Sequence, residues 1–227
     1  MTYLIRMKKI ILSILIFLTT ACSFIDTNKI APGYTQAFMA IKIAINGYEN
    51  TQITPELVKN IPYASSLVRV GNGPYGLMIL ESIKDDLSTW VTADGIYLVI
   101  KKGKIIKTKG FENNLSNLLI PAAYNNLNLN DLENEGILKY YYTYDEPILV
   151  DLEIEAEYEF VRRDTLNLLN ESKELTLIHE KLTSNLIHWD VLNKYWIDEN
   201  HYVWKSEQHV SPKIPVISFE ITKKPSL

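Results

Sequence analysis

The sequence predicts a mainly β fold, in which a large antiparallel sheet curls into a half-barrel or a sandwich, with one N-terminal amphipathic helix. Three observations support this prediction. Short apolar runs alternate with turn residues in the first half of the chain, and residues 152–160 alternate strictly between apolar and glutamate side chains. The chain also has 14 tyrosines and 4 tryptophans but only 9 glycines and 9 prolines, a balance that favours strands over disorder.

The helix is predicted over residues 36–46. Phe38, Ile41 and Ile45 recur there at helical spacing, and Gly47 follows as a C-terminal cap. We expect the apolar side of this helix to pack against the sheet, because an amphipathic helix of a globular domain buries its apolar stripe.

The first half of the sheet is predicted as a meander of short strands. Asp94-Gly95 is a strong two-residue hairpin signal, and Lys102-Gly103 is a weaker one. Residues 112–135 hold no clear period and are interpreted as a long crossover with one helical turn. The predicted strands are 66–70, 75–81, 88–93, 96–101 and 104–108.

The clearest strand lies at 152–160, where a period of two places four glutamates on one face of the sheet. Four carboxylates could suggest a cation site, but side chains about 7 Å apart along a strand do not converge on one ion. A solvated face is therefore expected. Residues 175–189 should return antiparallel to form a long hairpin closed near 170–172. The last predicted strands are 195–197, 202–205 and 216–221.

The N-terminus has the pattern of a secretory signal. Arg6, Lys8 and Lys9 precede the apolar run 10–18, which is too short to span a bilayer as a helix. Small and apolar residues then lead to Cys22, in a pattern similar to a lipobox. Cys22 is the only cysteine, so it cannot form an intramolecular disulfide, and lipid attachment explains it better than a leftover thiol does.

Cys22 is therefore predicted to be the lipidation site of an exported protein anchored to a membrane. Ser23 follows it rather than an aspartate, which favours the outer membrane of a Gram-negative bacterium, with the domain on the periplasmic face. Met7, followed by two lysines, is a more usual signal start than Met1. The predicted organisation is a signal peptide at 1–21, a lipidated tether at 22–35 and a single β-rich periplasmic domain at 36–227.

Composition and motifs exclude several function classes. Removal of residues 1–21 lowers the formal net charge from −4 to about −7, without a basic stripe for nucleic acid. Residues 71–76 match G-x-G-x-x-G, but Pro74 removes an amide and a strand-like run follows, so a turn is expected and not a cofactor site. The four histidines lack metal-ligand spacing. No cofactor or metal is expected.

Exposed aromatic rings on a sheet can stack on sugar rings. The alternative for each ring is burial in the β core. The candidate residues for contact with a glycan or a partner protein are Arg69, Trp90, Asp94, Trp196, Asp198 and Trp204.

Three segments resemble the YjbF family, the group 4 capsule polysaccharide lipoproteins also called GfcB. The first is PYASSLVRVGNGP at 62–74, which includes Arg69. The second combines WVTAD at 90–94 with GKIIKTKG at 103–110. The third combines NKYWID at 193–198 with VWKSEQ at 203–208 and Pro212.

This resemblance implies a mostly antiparallel β fold and a role in capsule or exopolysaccharide assembly or export. The expected role is non-catalytic, through binding of a polysaccharide secretion component or of the polysaccharide itself. Two alternatives stay open, a periplasmic glycan-binding module and a polysaccharide-modifying enzyme, because paired carboxylates of a glycosidase leave no local sequence signature.

Overall fold

The computed structural model describes residues 53–169 and 171–225, and for residue 130 it describes the backbone only. The predicted signal peptide at 1–21, the tether at 22–35 with Cys22, and the helix at 36–46 lie outside the described residues.

Twelve strands form one antiparallel sheet in the order β5-β4-β3-β2-β1-β12-β11-β10-β9-β8-β7-β6. The strands are β1 Ser65–Val70, β2 Gly76–Lys84, β3 Leu87–Thr92, β4 Tyr97–Lys101, β5 Lys104–Lys109, β6 Leu115–Leu119, β7 Leu138–Tyr144, β8 Leu149–Asn167, β9 Ser172–Ser184, β10 Trp189–Ile197, β11 Val203–Gln208 and β12 Ile217–Lys223. A short helix, α1 (Pro55–Lys59), precedes β1.

The sheet curls until its two edge strands approach each other. β5 and β6 lie at opposite ends of the strand order but in contact, and the Leu115 amide donates a hydrogen bond to Thr108 Oγ1 at 2.9 Å. The predicted mainly β fold with a large antiparallel sheet is therefore confirmed. Of the two predicted forms, the half-barrel is the closer, because the sheet is nearly closed and barrel-like.

The five strands predicted in the first half are all present as β1 to β5. The loop at Asp94-Gly95 has three residues, since the Thr92 amide bonds to Ile96 O and Gly95 has φ +87°. Lys102 and Gly103 both have positive φ, at 45° and 84°, as a type I′ hairpin requires. Lys102-Gly103, the weaker of the two hairpin signals in the sequence, is therefore the one that forms a two-residue turn.

The long hairpin is also present, as β8 and β9. Leu152, Ile154, Ala156 and Tyr158 are buried in the interior, while the glutamates between them face outward. The alternation stops at Phe160, which is exposed, because a β-bulge between residues 160 and 162 shifts the register.

The distal end of this hairpin bends back over the outer face of the sheet. At its tip, the Leu169 amide donates to Glu220 Oε1 on β12 at 2.9 Å. Beneath it, Leu175, Leu177 and Trp196 form a small apolar cluster separate from the main core. The hairpin therefore covers part of the outer surface of β10 and β11.

The interpretation of residues 112–135 as a long crossover with one helical turn is wrong in part. The segment contains β6, a short helix α2 (Ala122–Asn126) and a 3₁₀ helix (Leu129–Glu135). β7 follows and was not predicted, although it places Tyr140, Tyr142 and Tyr144 in the core.

Among the described residues, we find no helix with the length and apolar character needed to cross a bilayer.

Candidate ligand-binding cleft

The interior of the sheet contains a buried ion pair. Lys104 on β5 and Glu180 on β9 lie with Nζ and Oε1 2.5 Å apart, and their side chains are 1% and 0% exposed. Glu180 Oε2 also accepts from Asn193 Nδ2 at 2.8 Å and from the Tyr195 hydroxyl at 2.7 Å, and Tyr158 donates to Oε1. Every lone-pair direction of this carboxylate is therefore used.

Burial alone would raise the pKa of the Glu180 carboxyl. The Lys104 charge and the hydrogen bonds from Lys104, Tyr158 and Asn193 together outweigh that effect and hold the pKa below its usual value. Burial and the nearby Glu180 charge raise the pKa of Tyr195 well above the usual range. These groups are buried and hydrogen-bonded to one another, so the network supports the fold.

A cleft of about 480 Å³ lies at the end of the sheet where the β1–β2 and β3–β4 turns meet. Most of its wall is apolar, and its polar side chains are Arg69, Tyr75, Thr92 and Asp94. Two of the residues predicted as candidate contacts, Arg69 and Asp94, are therefore brought together in one cleft. Its apolar side chains include Ile53, Leu57, Val68, Leu77, Ile96 and Phe111.

Arg69 sits near the end of β1, one strand position from the turn. Val68 on β1 pairs with Gly76 on β2, and the same antiparallel register places Arg69 opposite Tyr75. The Arg69 Cζ lies 4.7 Å from the Tyr75 ring centroid. The buried Arg69 Nε has no hydrogen-bond partner among the described residues. An unpaired guanidinium nitrogen at a cleft wall is unusual, because buried polar groups are nearly always satisfied.

The turn beside Arg69 explains the glycine in the sequence motif. Gly71 has φ +54°, and a Cβ there would lie 2.9 Å from Pro215 Cβ in the β11–β12 loop. The Gly71 amide donates to Val216 O at 2.8 Å. Gly71 thus lets the turn pack closely on the neighbouring loop, which fixes the position of Arg69 on β1.

Asp94 lies on the wall of the cleft in the β3–β4 loop. Its Oδ1 accepts a hydrogen bond from the Thr92 hydroxyl, and Thr92 Oγ1 accepts in turn from the Ile96 amide at 3.0 Å. Asp94 is the only carboxylate on the wall of this cleft in the described part of the chain. The pair of carboxyl groups that a glycosidase needs is therefore missing from it.

Trp90 does not reach this cleft. Its side chain is 2% exposed inside the sheet, with its ring edge-on to Phe219 at 5.3 Å, and Nε1 donates to Ser88 Oγ at 3.0 Å. Trp196 is 7% exposed, beneath the bent hairpin. Neither ring presents a free face on which a sugar could stack, so the expected stacking role fails for both.

Trp204 is half-buried beside a second, more polar depression of about 390 Å³. Lys173 Nζ lies 4.0 Å from its ring centroid, so this ring face is already occupied. Asp198 Oδ2 accepts from Trp204 Nε1 at 2.9 Å, and Oδ1 accepts from the Asn200 and Tyr202 amides. Asp198 therefore stabilises the β10–β11 turn, and these residues are separate from the cleft at Arg69.

The comparison with protein families decides the identity of the chain. Residues 38–222 match the model of the YjbF family, described as group 4 capsule polysaccharide lipoprotein gfcB, YjbF. The chain belongs to the YjbF family. Its members are lipoproteins, which indicates a membrane-anchored location in the cell envelope. The expected family is therefore confirmed, and a capsule-related role is the coarse function that the family supports.

Two relatives of the YjbF family come from Escherichia coli K12. The uncharacterized lipoprotein YjbF is 24% identical over 176 residues, which cover 72% of this chain and 77% of the relative. The uncharacterized lipoprotein GfcB is 22% identical over 201 residues, which cover 85% and 86%. The crystal structure of the hypothetical lipoprotein YmcC, also from Escherichia coli K12, has a TM-score of 0.67 at 19% identity and covers 84% of this chain and 96% of that one. This last likeness shows that the two proteins share a fold.

Tyr75 and Thr92 are the polar residues of the cleft that the sequence analysis did not name as candidates. The sequence marks a turn here, and the register observed, with the turn at residues 71–73, places residue 75 opposite residue 69. Glu180 in the interior was also missed, although strand alternation pointed to its position. It stands two residues from both Ile178 and Leu182 in a strand, so it shares their buried face.

Proposed function

We propose that this YjbF-family lipoprotein acts without catalysis in the assembly or export of capsule polysaccharide or exopolysaccharide, by binding the glycan in the cleft at Arg69. The observation that carries the proposal is the cleft itself, where apolar walls surround one unpaired guanidinium and one carboxylate. Ligand sites commonly combine apolar walls with a few polar groups that orient the ligand.

A non-catalytic role agrees with the chemistry of the cleft. Its single carboxylate, Asp94, already accepts a hydrogen bond from Thr92. In the described ranges, no group of three or more histidine, cysteine, aspartate or glutamate side chains is arranged to hold a metal ion. Within the described residues, the cleft therefore gives no support to the alternative of a polysaccharide-modifying enzyme.

The glycan-binding module, the second candidate function, differs from the first only in whether secretion depends on the binding. Arg69 and Asp94 in one cleft support binding in either case, whereas the buried rings of Trp90 and Trp196 do not contribute.

Deletion of the gene followed by measurement of surface capsule or exopolysaccharide tests the secretion role. We expect loss or strong reduction of surface polysaccharide, restored by the wild-type gene. Unchanged polysaccharide at the surface would contradict the proposal and would leave a binding module without a secretion role.

We further propose that the domain is held at the outer membrane, on the periplasmic face, through lipid on Cys22. The support is the lipobox-like sequence before Cys22, the serine after it and the membership of a lipoprotein family. Cys22→Ser should move the protein from the membrane fraction to the soluble periplasmic fraction. Recovery of this variant in the outer-membrane fraction at the wild-type level would contradict the anchor.

A further inference from the structure

We infer that the cleft binds a carboxylate-bearing sugar unit, so that the glycan is an acidic polysaccharide, with the Arg69 guanidinium as the partner of the sugar carboxylate. This inference rests on the proposed function and names the class of glycan. It is carried by the charge of Arg69, by the position of its guanidinium and by the chemistry of the remaining wall.

Arg69 forms no ion pair with any described residue. Arginine stays protonated at every physiological pH, and no carboxylate of the described chain lies within 4.0 Å of its guanidinium nitrogens. Its Nε is buried without a hydrogen-bond partner. A half-buried cation that forms no ion pair favours an anionic ligand, because the attraction is screened less there than on an open surface.

The guanidinium is also held in place. Its Cζ lies 4.7 Å from the centroid of the Tyr75 ring, and Tyr75 itself is 45% exposed. Stacking on an aromatic ring orients the planar fork of an arginine, and this fork matches a carboxylate through two parallel hydrogen bonds. A lysine at position 69 would supply the charge without this geometry.

The rest of the wall suits a sugar ring better than a bare anion. Apolar side chains such as Leu77, Ile96 and Phe111 can contact the C–H faces of a sugar. Asp94 Oδ2 accepts no hydrogen bond from the described residues and can accept from sugar hydroxyls. A neutral glycan would leave the Arg69 charge unmatched, and a free phosphate would leave the apolar wall and Asp94 unused. A sugar with both hydroxyls and a carboxylate uses all three features.

The test is calorimetric titration of the full chain, purified in detergent, with a galacturonic acid oligosaccharide and with a neutral maltooligosaccharide of the same length. We expect the acidic oligosaccharide to bind and the neutral one to bind at least tenfold more weakly. Arg69→Gln should weaken the binding of the acidic ligand by about tenfold to a hundredfold, the usual range for hydrogen bonds to a charged group. Arg69→Lys should fall between Arg69→Gln and the wild type.

Arg162→Gln is the matched control, because Arg162 is an exposed arginine of β8 whose side chain is 64% accessible. It should bind like the wild type. Tyr75→Ala is a second, independent variant, expected to weaken binding because the guanidinium loses its support. Thermal unfolding of each variant shows whether a loss of binding comes from loss of the fold.

Four outcomes would overturn the inference. They are equal affinity for acidic and neutral oligosaccharides, wild-type affinity in Arg69→Gln, binding of inorganic phosphate as tight as that of the uronate, and no binding by the wild-type chain. The deletion test is independent of these four outcomes. If deletion reduces surface polysaccharide but the binding test fails, the acidic-sugar site is rejected and the proposed secretion role remains supported.

Discussion

Lys104 and Glu180, 76 positions apart in the chain, form an ion pair inside the sheet at 2.5 Å. Lys104 lies on the edge strand β5 and Glu180 on β9, so the pair joins two distant parts of the strand order across the interior. Removal of one charge from a buried pair is much more harmful than removal of both, because the remaining charge stays desolvated and uncompensated.

We therefore expect Lys104→Met to lower the free energy of unfolding by about 3–5 kcal/mol. The double variant with Lys104→Met and Glu180→Gln should recover a substantial part of this loss, because the glutamine that replaces Glu180 is neutral and its oxygen can still accept from the Tyr195 hydroxyl. Urea denaturation followed by circular dichroism measures both values. A double variant no more stable than Lys104→Met would contradict this account of the pair.

The same pair should make stability sensitive to acid. The folded-state pKa of Glu180 lies below its unfolded value of 4.5, so its contribution is fully present above that pH. The contribution is lost as the pH falls below 4.5 and through the lower folded-state pKa, because the unfolded chain then binds a proton more readily. The measurement is the free energy of unfolding between pH 6 and pH 3 for the wild type and for the double variant.

We expect the wild type to lose more stability over this range than the double variant does. Asp145 and Glu153 also have lowered pKa values, but both proteins contain them, so their effect cancels in the comparison. Parallel curves for the two proteins would show that Glu180 does not drive the acid sensitivity.

Substitution of two glycines that have similar φ angles, Gly95 and Gly103, distinguishes the cost of backbone strain from the cost of steric overlap. Gly95 has φ +87° and no atom within 4 Å of where a Cβ would lie, whereas Gly103 has φ +84° and a Cβ there would lie 2.3 Å from Val203 Cγ2. Gly95→Ala should cost about 1–2 kcal/mol for the left-handed backbone alone. Gly103→Ala should cost about 1–3 kcal/mol more, because overpacking adds to the strain.

Thermal unfolding of both variants checks this difference, and Val203→Ala in the Gly103→Ala background should restore part of the steric component only. Equal destabilisation by Gly95→Ala and Gly103→Ala would mean that the β4–β5 turn does not pack against β11 as described.

The bent end of the β8–β9 hairpin should open locally when its apolar cluster is weakened. Leu177 is 5% exposed in that cluster, and Leu177→Ala should cost about 2–3 kcal/mol as a cavity-forming substitution. Amide hydrogen exchange should speed up in the distal hairpin more than in β1 to β5, because partial opening releases only local contacts. Leu192→Ala is the control, since Leu192 is 40% exposed. Uniform acceleration across the whole sheet would contradict a local opening.

The sequence predicted the strands whose side chains alternate cleanly and missed those whose pattern is broken. β6 buries Leu115 and Leu118, three positions apart, because a β-bulge interrupts the register between residues 115 and 117. A period of two cannot be seen across such a bulge. β7 was missed because tyrosines occupy both of its faces, so hydropathy does not alternate along it.

The candidate site could be predicted only in part. Arg69 and Asp94 could be named from residue type and from the family motif, but the burial of Trp196 could not, because the distal end of the β8–β9 hairpin covers its outward ring. Burial by a segment that is distant in the sequence cannot be read from the local alternation of apolar and polar residues. The partnership of Arg69 with Tyr75 depended on the register of one tight turn, which pattern alone does not fix.

The meeting of β5 and β6 has a consequence for a lipoprotein concentrated on a membrane plane. Exposed strand edges invite pairing between molecules and lead to aggregation. Here each edge strand faces the other, and the Thr108 hydroxyl already occupies one edge amide, that of Leu115. The contact between the two edges therefore leaves less open backbone on which neighbouring copies could pair at high surface density.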